Sequence, residues 1–399
     1  MSRPAPPLWL LVIVTFSGTL AMHMFVPALA TAARDLGTTP AAIKLTISLY
    51  VLGLAAGQLV YGPLSDKYGR RPTLIAGLLV YTVAGGVCML ATSVHVLVAA
   101  RFAQALGGCA GLLLGRAIVR DTANADDTLR RLAMLSLLTM VGPGLAPLLG
   151  GLVAASLGWR AVFACFVALG AVGLIVSWRL LPETRPLAKA DEARSSLSAD
   201  YAALLRSPAF VGIAIGGGCA TTSFYAFIAA APFLFIDQLH RPVEAVGMYL
   251  CVLILGLSAG NITASRLVGR VSLDKLMVGG NAISVAAAIF LLADLYLFGP
   301  DTVRIVSGMF VYCVGVGMCS PAVSTKAMSV NPKVTGSAAG LFGCAQMAIG
   351  ALCTSLGSIG ADPTLSAFMV LTGAGVVGQA AFWIVSRTTP RVDTATSAG

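Results

Sequence analysis

Charge is what this chain has little of. Asp, Glu, Lys and Arg together make up 11% of its 399 residues, where a water-soluble domain carries about a quarter. Apolar residues reach 57% and the mean hydropathy is +0.89, so most of the chain is expected to be solvated by lipid rather than water. Histidine is scarcer still, with three residues. No HExxH pattern, Asp-rich cluster or Walker loop occurs, so neither intramembrane metal chemistry nor direct ATP drive finds support, and no metal or cofactor is expected. The nine cysteines, at 88, 109, 165, 219, 251, 313, 319, 344 and 353, all lie inside apolar runs and form no CxxC. They read as small packing residues rather than a disulfide or metal framework. The net charge of +10 sits in short breaks between apolar runs and forms no basic stripe, so no nucleic-acid partner is expected. Nor does a small-residue cleavage site close the first apolar run cleanly, and that run is expected to remain as a helix.

What is present is a series of long apolar runs. Hydropathy and the Gly, Pro and charge breaks divide the chain into twelve spans, at about 8–30, 41–64, 73–93, 96–118, 132–157, 161–181, 208–236, 244–268, 274–298, 303–327, 335–360 and 365–387. With the N-terminus inside, eighteen Lys and Arg fall in cytoplasmic segments and five (Arg34, Lys44, Arg160, Arg241, Arg304) on the opposite side. That bias predicts both termini in the cytoplasm. The longest polar break, PETRPLAKADEARSSLSADYAALLRSP from Pro182 to Pro208, divides the chain into an N-terminal six-helix bundle (1–181), a linker (182–207) and a C-terminal six-helix bundle (208–399). Such a layout suits halves that rock about a central site. The linker reads equally as a solvated tether or as a short amphipathic helix laying Tyr201, Leu204 and Leu205 on lipid. Glycines four apart (53 and 57; 107, 111 and 115; 212 and 216; 256 and 260) read as close helix packing.

The most telling stretch is Gly57 to Pro72, GQLVYGPLSDKYGRRP, a short basic loop between spans 2 and 3. Its Gly57, Leu59, Gly62, Pro63, Asp66, Lys67, Gly69, Arg70 and Arg71 resemble the loop signature of the major facilitator superfamily. The resemblance implies an all-α membrane protein with twelve transmembrane helices in two six-helix bundles. It also implies a latch of Gly62, Asp66, Arg70 and Arg71, in which the Asp66 carboxylate docks on the N-terminus of helix 11 near Thr335, where backbone amides and the helix dipole favour an anion. Span 4 carries Arg101, Gln104 and Gly107 and ends RAIVRD. This is similar to the second superfamily signature and to the bicyclomycin-resistance (Bcr/CflA) branch, which includes phenicol exporters. Gly142, Pro143, Pro147, Gly150 and Gly151 resemble the antiporter motif of drug exporters.

One departure stands out. Branch members typically carry a proton-bearing acid in span 1, and this chain reads His23-Met24-Phe25-Val26-Pro27 instead. His23 is the residue of the membrane interior that titrates near neutrality unaided. Three readings stay open: a proton carrier coupled to Arg101, a hydrogen bond to substrate, or a satisfied packing histidine. A guanidinium as deep as that of Arg101 is expected to face a cavity or a partner unless it snorkels to the headgroups. No carboxylate lies at mid-span, so the cavity is expected to be neutral to positive. His23, Tyr50, Arg101, Tyr225, Asn261 and Gln346 are the candidate substrate-binding residues.

The expected function is secondary active efflux from the bacterial inner membrane: a monomer exporting a small neutral or weakly anionic amphipathic drug-like compound in exchange for protons. A proton-independent facilitator, an exporter of an endogenous metabolite and a non-transporting membrane sensor are the alternatives. No enzymatic activity is expected.

Overall fold

The computed structural model describes residues 6–122, 125–184, 197–268, 270–331, 334–360 and 362–388. Thirteen helices account for nearly all of them, and no β-strand forms among the described residues. The first six are α1 (Leu8–Asp35), α2 (Pro40–Tyr68), α3 (Arg70–Met89), α4 (Val94–Thr122), α5 (Ala125–Leu157) and α6 (Trp159–Leu180). A short helix α7 (Leu197–Leu205) lies in the linker. Six more follow: α8 (Pro208–Gln238), α9 (Val243–Leu267), α10 (Leu273–Phe298), α11 (Thr302–Ser329), α12 (Thr335–Leu356) and α13 (Pro363–Thr388). Eleven are long and apolar enough to cross a membrane; in α5 the described apolar part is the shorter Gly144–Leu157. Leu79, Val83, Val87, Ile175, Phe290, Leu297 and Ile384 stand exposed on the outside of the bundles, which is where lipid replaces water as solvent.

Helices α1 to α6 pack on one another, as do α8 to α13. Small residues set the spacing. A Cβ on Gly53 of α2 would lie 2.6 Å from the Phe102 carbonyl oxygen of α4, and one on Gly256 of α9 would lie 2.6 Å from that of Phe310 on α11. The two bundles meet along two seams, α2 against α12 and α5 against α9.

Both bundle-opening helices are interrupted. In α1 a 3₁₀ turn spans Val26–Ala28, because Pro27 lacks the amide that would bond the His23 carbonyl. In α8 the regular helix stops at Thr222 and resumes at Phe224, and beyond Pro232 a π-helical turn covers Phe233–Gln238. Broken helices of this kind bring backbone and side chains into the middle of a transporter bundle.

The end of the molecule at the α2–α3 turn is the loop end; the end at the α1–α2 turn is the far end. At the loop end Gly69 has φ +104°, a conformation that favours glycine, and a Cβ there would lie 2.5 Å from the Glu183 carboxylate. Glu183 accepts from the backbone N–H of Arg70 (2.9 Å) and Arg71 (3.2 Å), capping α3. The linker helix turns its apolar side inward: Leu204 is buried against Phe210 and Ile213, while Leu205 is exposed. Leu204 and half-buried Tyr201 therefore cover protein rather than lipid, since α7 docks on α8 and α12.

Candidate substrate cavity

A cavity of about 440 Å³ lies between the bundles, extending toward the loop end. The N-terminal bundle lines it with Thr19, Met22 and His23 of α1, Leu54 and Gln58 of α2, and Cys109, Leu112, Leu113 and Arg116 of α4. The C-terminal bundle supplies Tyr225 of α8, Ser324 and Met328 of α11, and Ala339, Phe342, Gly343, Gln346 and Met347 of α12. No carboxylate is among them. The lining is mostly apolar with a few polar groups, the composition typical of a small-molecule site.

Several of those polar groups are held on one side and open on the other. The Nδ1 of His23 lies 3.0 Å from the Thr19 carbonyl oxygen. A carbonyl can only accept, so Nδ1 carries the hydrogen and Nε2 is the acceptor of the neutral ring. Gln346 donates from Nε2 to the Thr221 hydroxyl (2.6 Å) and its backbone carbonyl accepts from the Thr222 hydroxyl (2.8 Å), leaving its side-chain Oε1 without a partner among the described residues. The ring of Tyr225 sits 6.3 Å from that of His23, centre to centre. These groups flank the two helix breaks: His23 lies just before the α1 break and Tyr225 just after the interruption of α8 at Ser223.

The structure brings His23, Tyr225 and Gln346 together at the cavity; Tyr50, Arg101 and Asn261 lie elsewhere. Arg101 is fully buried inside the N-terminal bundle. Its guanidinium carbon lies 3.9 Å from the Tyr50 ring centre, 5.5 Å from Phe25 and 5.8 Å from Phe163, the arrangement of a cation on aromatic faces. It donates from Nη1 to Gln104 Oε1 (2.7 Å) and from Nη2 to the Ala21 carbonyl (3.0 Å). Arg101 Nε and Gln104 Nε2 find no partner among the described residues. The Tyr50 hydroxyl donates to the Gly18 carbonyl at 2.8 Å, and Tyr50 is not among the residues lining the cavity. Asn261 bonds back to Leu257 of its own helix (3.1 Å), close to where Gly317 of α11 packs.

At the loop end, Arg70 bonds Asp66 (2.7 Å), Ser65 (2.5 Å) and Asp121 (2.9 Å), joining α2, α3 and α4. The Asp66 side chain is 64% exposed and its partner is Arg70 rather than α12. The carboxylate near the start of α12 belongs to the linker: Asp200 accepts from the Ser337 hydroxyl at 3.3 Å. Arg71 donates to the Trp178 carbonyl at 2.7 Å, and a Cβ on Gly62 would meet nothing within 4 Å.

In the motif of α5, Gly150 lies against the Met24 carbonyl of α1, and a Cβ on Gly151 would lie 3.2 Å from the Val243 carbonyl oxygen at the start of α9. The Pro147 carbonyl faces Gly247 of α9 so closely that a Cβ there would lie 2.5 Å away. The surroundings of Gly142 and Pro143 lie outside the described residues.

At the far end the bundles are joined. Arg34 of α1 pairs with Asp237 of α8 at 3.1 Å. Lys44 of α2, 1% exposed, donates to the Gly357 carbonyl just beyond α12 (3.4 Å) and lies 5.5 Å from the Phe233 ring centre.

Sequence reasoning passes over Gln58, a lone glutamine one turn from Leu54 whose polarity inside an apolar run is its signal. Lys44 reads in the sequence only as an outer-side charge at the start of span 2, since nothing in its flanking residues points to a second bundle.

The sequence profile of the Major Facilitator Superfamily matches residues 11–354. Among curated relatives, the chloramphenicol resistance protein of Pseudomonas aeruginosa is 31% identical, over 82% of this chain and 77% of its own length. Multidrug resistance protein D of Escherichia coli is 29% identical, over 93% and 91%. The bicyclomycin resistance protein homolog of Haemophilus influenzae is 25% identical, over 89% of each. Among solved structures, a mutant of the nucleoside transporter NupG superposes with a TM-score of 0.75 at 16% identity, over 95% of this chain and 99% of that one. With a profile match over most of its length and a fold shared with a solved transporter, this chain is a non-enzymatic membrane transporter belonging to the major facilitator superfamily.

Proposed function

We propose that this protein is a drug-efflux transporter of the bacterial inner membrane, with both termini cytoplasmic. It acts as a monomer that moves small amphipathic compounds outward in exchange for protons. The observation that carries this reading is the cavity shared by both bundles, extending toward the loop end, with the Lys44 and Arg34 contacts joining the bundles at the far end. With the loop end in the cytoplasm, this is the arrangement of a transporter that has yet to load. The names of the relatives, resistance proteins for chloramphenicol and bicyclomycin, support compounds of that size.

His23 is the proton-carrying group in this reading. Its Nδ1 is committed to Thr19, so a proton arriving on Nε2 would place a charge where both bundles meet and favour rearrangement of the cavity. Arg101 takes part from inside the N-terminal bundle, by fixing α1 through the Ala21 carbonyl two residues away. Asp66 reaches the N-terminus of α12 in the opposite state, taking the place that Asp200 occupies beside Ser337 here. The α5–α9 seam at Pro147, Gly150 and Gly151 is the axis along which the bundles stay close.

Expression in an efflux-deficient bacterial host tests the reading: resistance to a neutral amphipathic antibiotic should appear and be lost with Asp66→Ala. The same resistance from cells carrying Asp66→Ala would remove the latch. The cavity's lack of carboxylates favours one second reading, proton-independent facilitation. In proteoliposomes, His23→Ala should abolish substrate-driven pH change while ligand binding survives; unchanged proton exchange would decide for facilitation.

A further inference from the structure

The cations toward the loop end are not equivalent. Lys326 of α11 is paired with Asp274 of α10, and Arg70 is paired with Asp66 and Asp121. Arg116, one turn before Arg120 on α4, lines the cavity, is exposed to it, and has neither a hydrogen-bond acceptor nor an ion-pair partner among the described residues. The same cavity carries no acid to offset it. The guanidinium therefore has no counter-charge among the residues lining the cavity. It is a fixed positive charge beside the apolar surface of Leu112, Leu113 and Met328, where low-dielectric walls strengthen its field.

We propose that Arg116 makes this cavity an anion-reading site whose preferred occupants are amphipathic monoanions, with the acidic group on Arg116 and the apolar body against the methionine-rich wall. The proposal rests on the reading of the cavity as a substrate site and specifies what it takes. A carboxylate pairs with the guanidinium by two parallel hydrogen bonds, whereas a lysine ammonium would meet it only as a point charge. The apolar body meets Met22, Met328, Met347 and Phe342, flexible side chains that fit varied shapes. A lipophilic cation finds no counter-charge in the lining.

The same chemistry could come from a soluble weak acid or from an anionic lipid entering from the bilayer, and the experiment separates them. The protein, reconstituted in phosphatidylcholine nanodiscs at pH 7, is titrated with 1-naphthylacetate and with its uncharged amide, 1-naphthylacetamide. Wild type should bind the carboxylate on the order of ten- to hundredfold tighter than the amide. Arg116→Gln should bring that ratio close to one, and Arg116→Lys, which keeps the charge, should retain most of it in a protein that unfolds at the wild-type temperature. Equal affinities in wild type, an unchanged ratio in Arg116→Gln, or no binding of either ligand would overturn the proposal. Adding phosphatidylglycerol to the discs assigns the source: competition with naphthylacetate that vanishes in Arg116→Gln makes the natural anion a lipid, and no competition makes it a soluble acid. Absence of drug resistance in cells expressing the wild type would end the efflux reading and leave the preference for the carboxylate standing.

Discussion

Replacing Arg101 by lysine tests whether this charge belongs to the bundle interior or to the substrate. The structure fixes the guanidinium over Tyr50 at 3.9 Å, with Nη1 on Gln104 and Nη2 on the Ala21 carbonyl. An ammonium is a compact point charge that cannot stack, and it reaches at most one of the two acceptors without moving the other. Losing the contact with the ring in a desolvated site costs about 1–2 kcal/mol, and one lost hydrogen bond to a charged donor costs about 1.5–3 kcal/mol. The two losses sum to about 2.5–5 kcal/mol and relaxation recovers part of that, so Arg101→Lys should destabilise the protein by roughly 2–4 kcal/mol. The assay is thermal unfolding in detergent, followed by tryptophan fluorescence, beside Arg116→Lys on the same helix. The second swap touches a side chain with no partner among the described residues and should leave the unfolding temperature at the wild-type value. An Arg101→Lys protein as stable as wild type but deficient in ligand binding would refute the placement of Arg101 inside the bundle and return it to the cavity.

Two further outcomes follow from the packing and from the far-end contacts. Gly150→Ala puts a methyl group on the Met24 carbonyl of α1 and should cost about 1–3 kcal/mol by overpacking two backbones, while Gly86→Ala, with nothing within 4 Å of its added Cβ, should be neutral or slightly stabilising; unfolding temperatures check both. Lys44→Ala removes the ammonium that joins α2 to Gly357 and should shift the bundles toward opening at the far end by about 1–2 kcal/mol, because a charge-assisted bond is lost and its desolvation cost is recovered. Spin labels at Thr38 of one bundle and Arg304 of the other should then report a larger population of long distances, and an unchanged distribution would deny Lys44 a part in closure.

The twelve-span architecture was legible in the chain because lipid allows only helices, and helices of bilayer length leave long apolar runs between charged breaks. The glycine spacings were legible for a related reason: Gly53 and Gly256 each let a neighbouring carbonyl within 2.6 Å of where a Cβ would lie, and only small residues permit such approach. His23, Tyr225 and Gln346 could be picked out as polar groups within apolar runs, and all three line the cavity. The same rule picked out Tyr50, Arg101 and Asn261, whose polar atoms are instead engaged by a carbonyl at Gly18, by Gln104 and Ala21, and by Leu257.

The sequence by itself determined that this chain lives in lipid, how many times it crosses, and which superfamily it joins, since these depend on composition and on short contiguous motifs. Only the tertiary structure decided which buried polar groups face a shared void and which are consumed inside one bundle. It alone turned Lys44 from an outer-side charge at the start of span 2 into a seam contact and left Arg116 without a partner among the described residues, in a cavity without acids. The physical reason is geometric. A polar side chain in an apolar helix must find a partner, and whether that partner is a carbonyl on the next helix or a molecule yet to arrive depends on segments far apart in the chain.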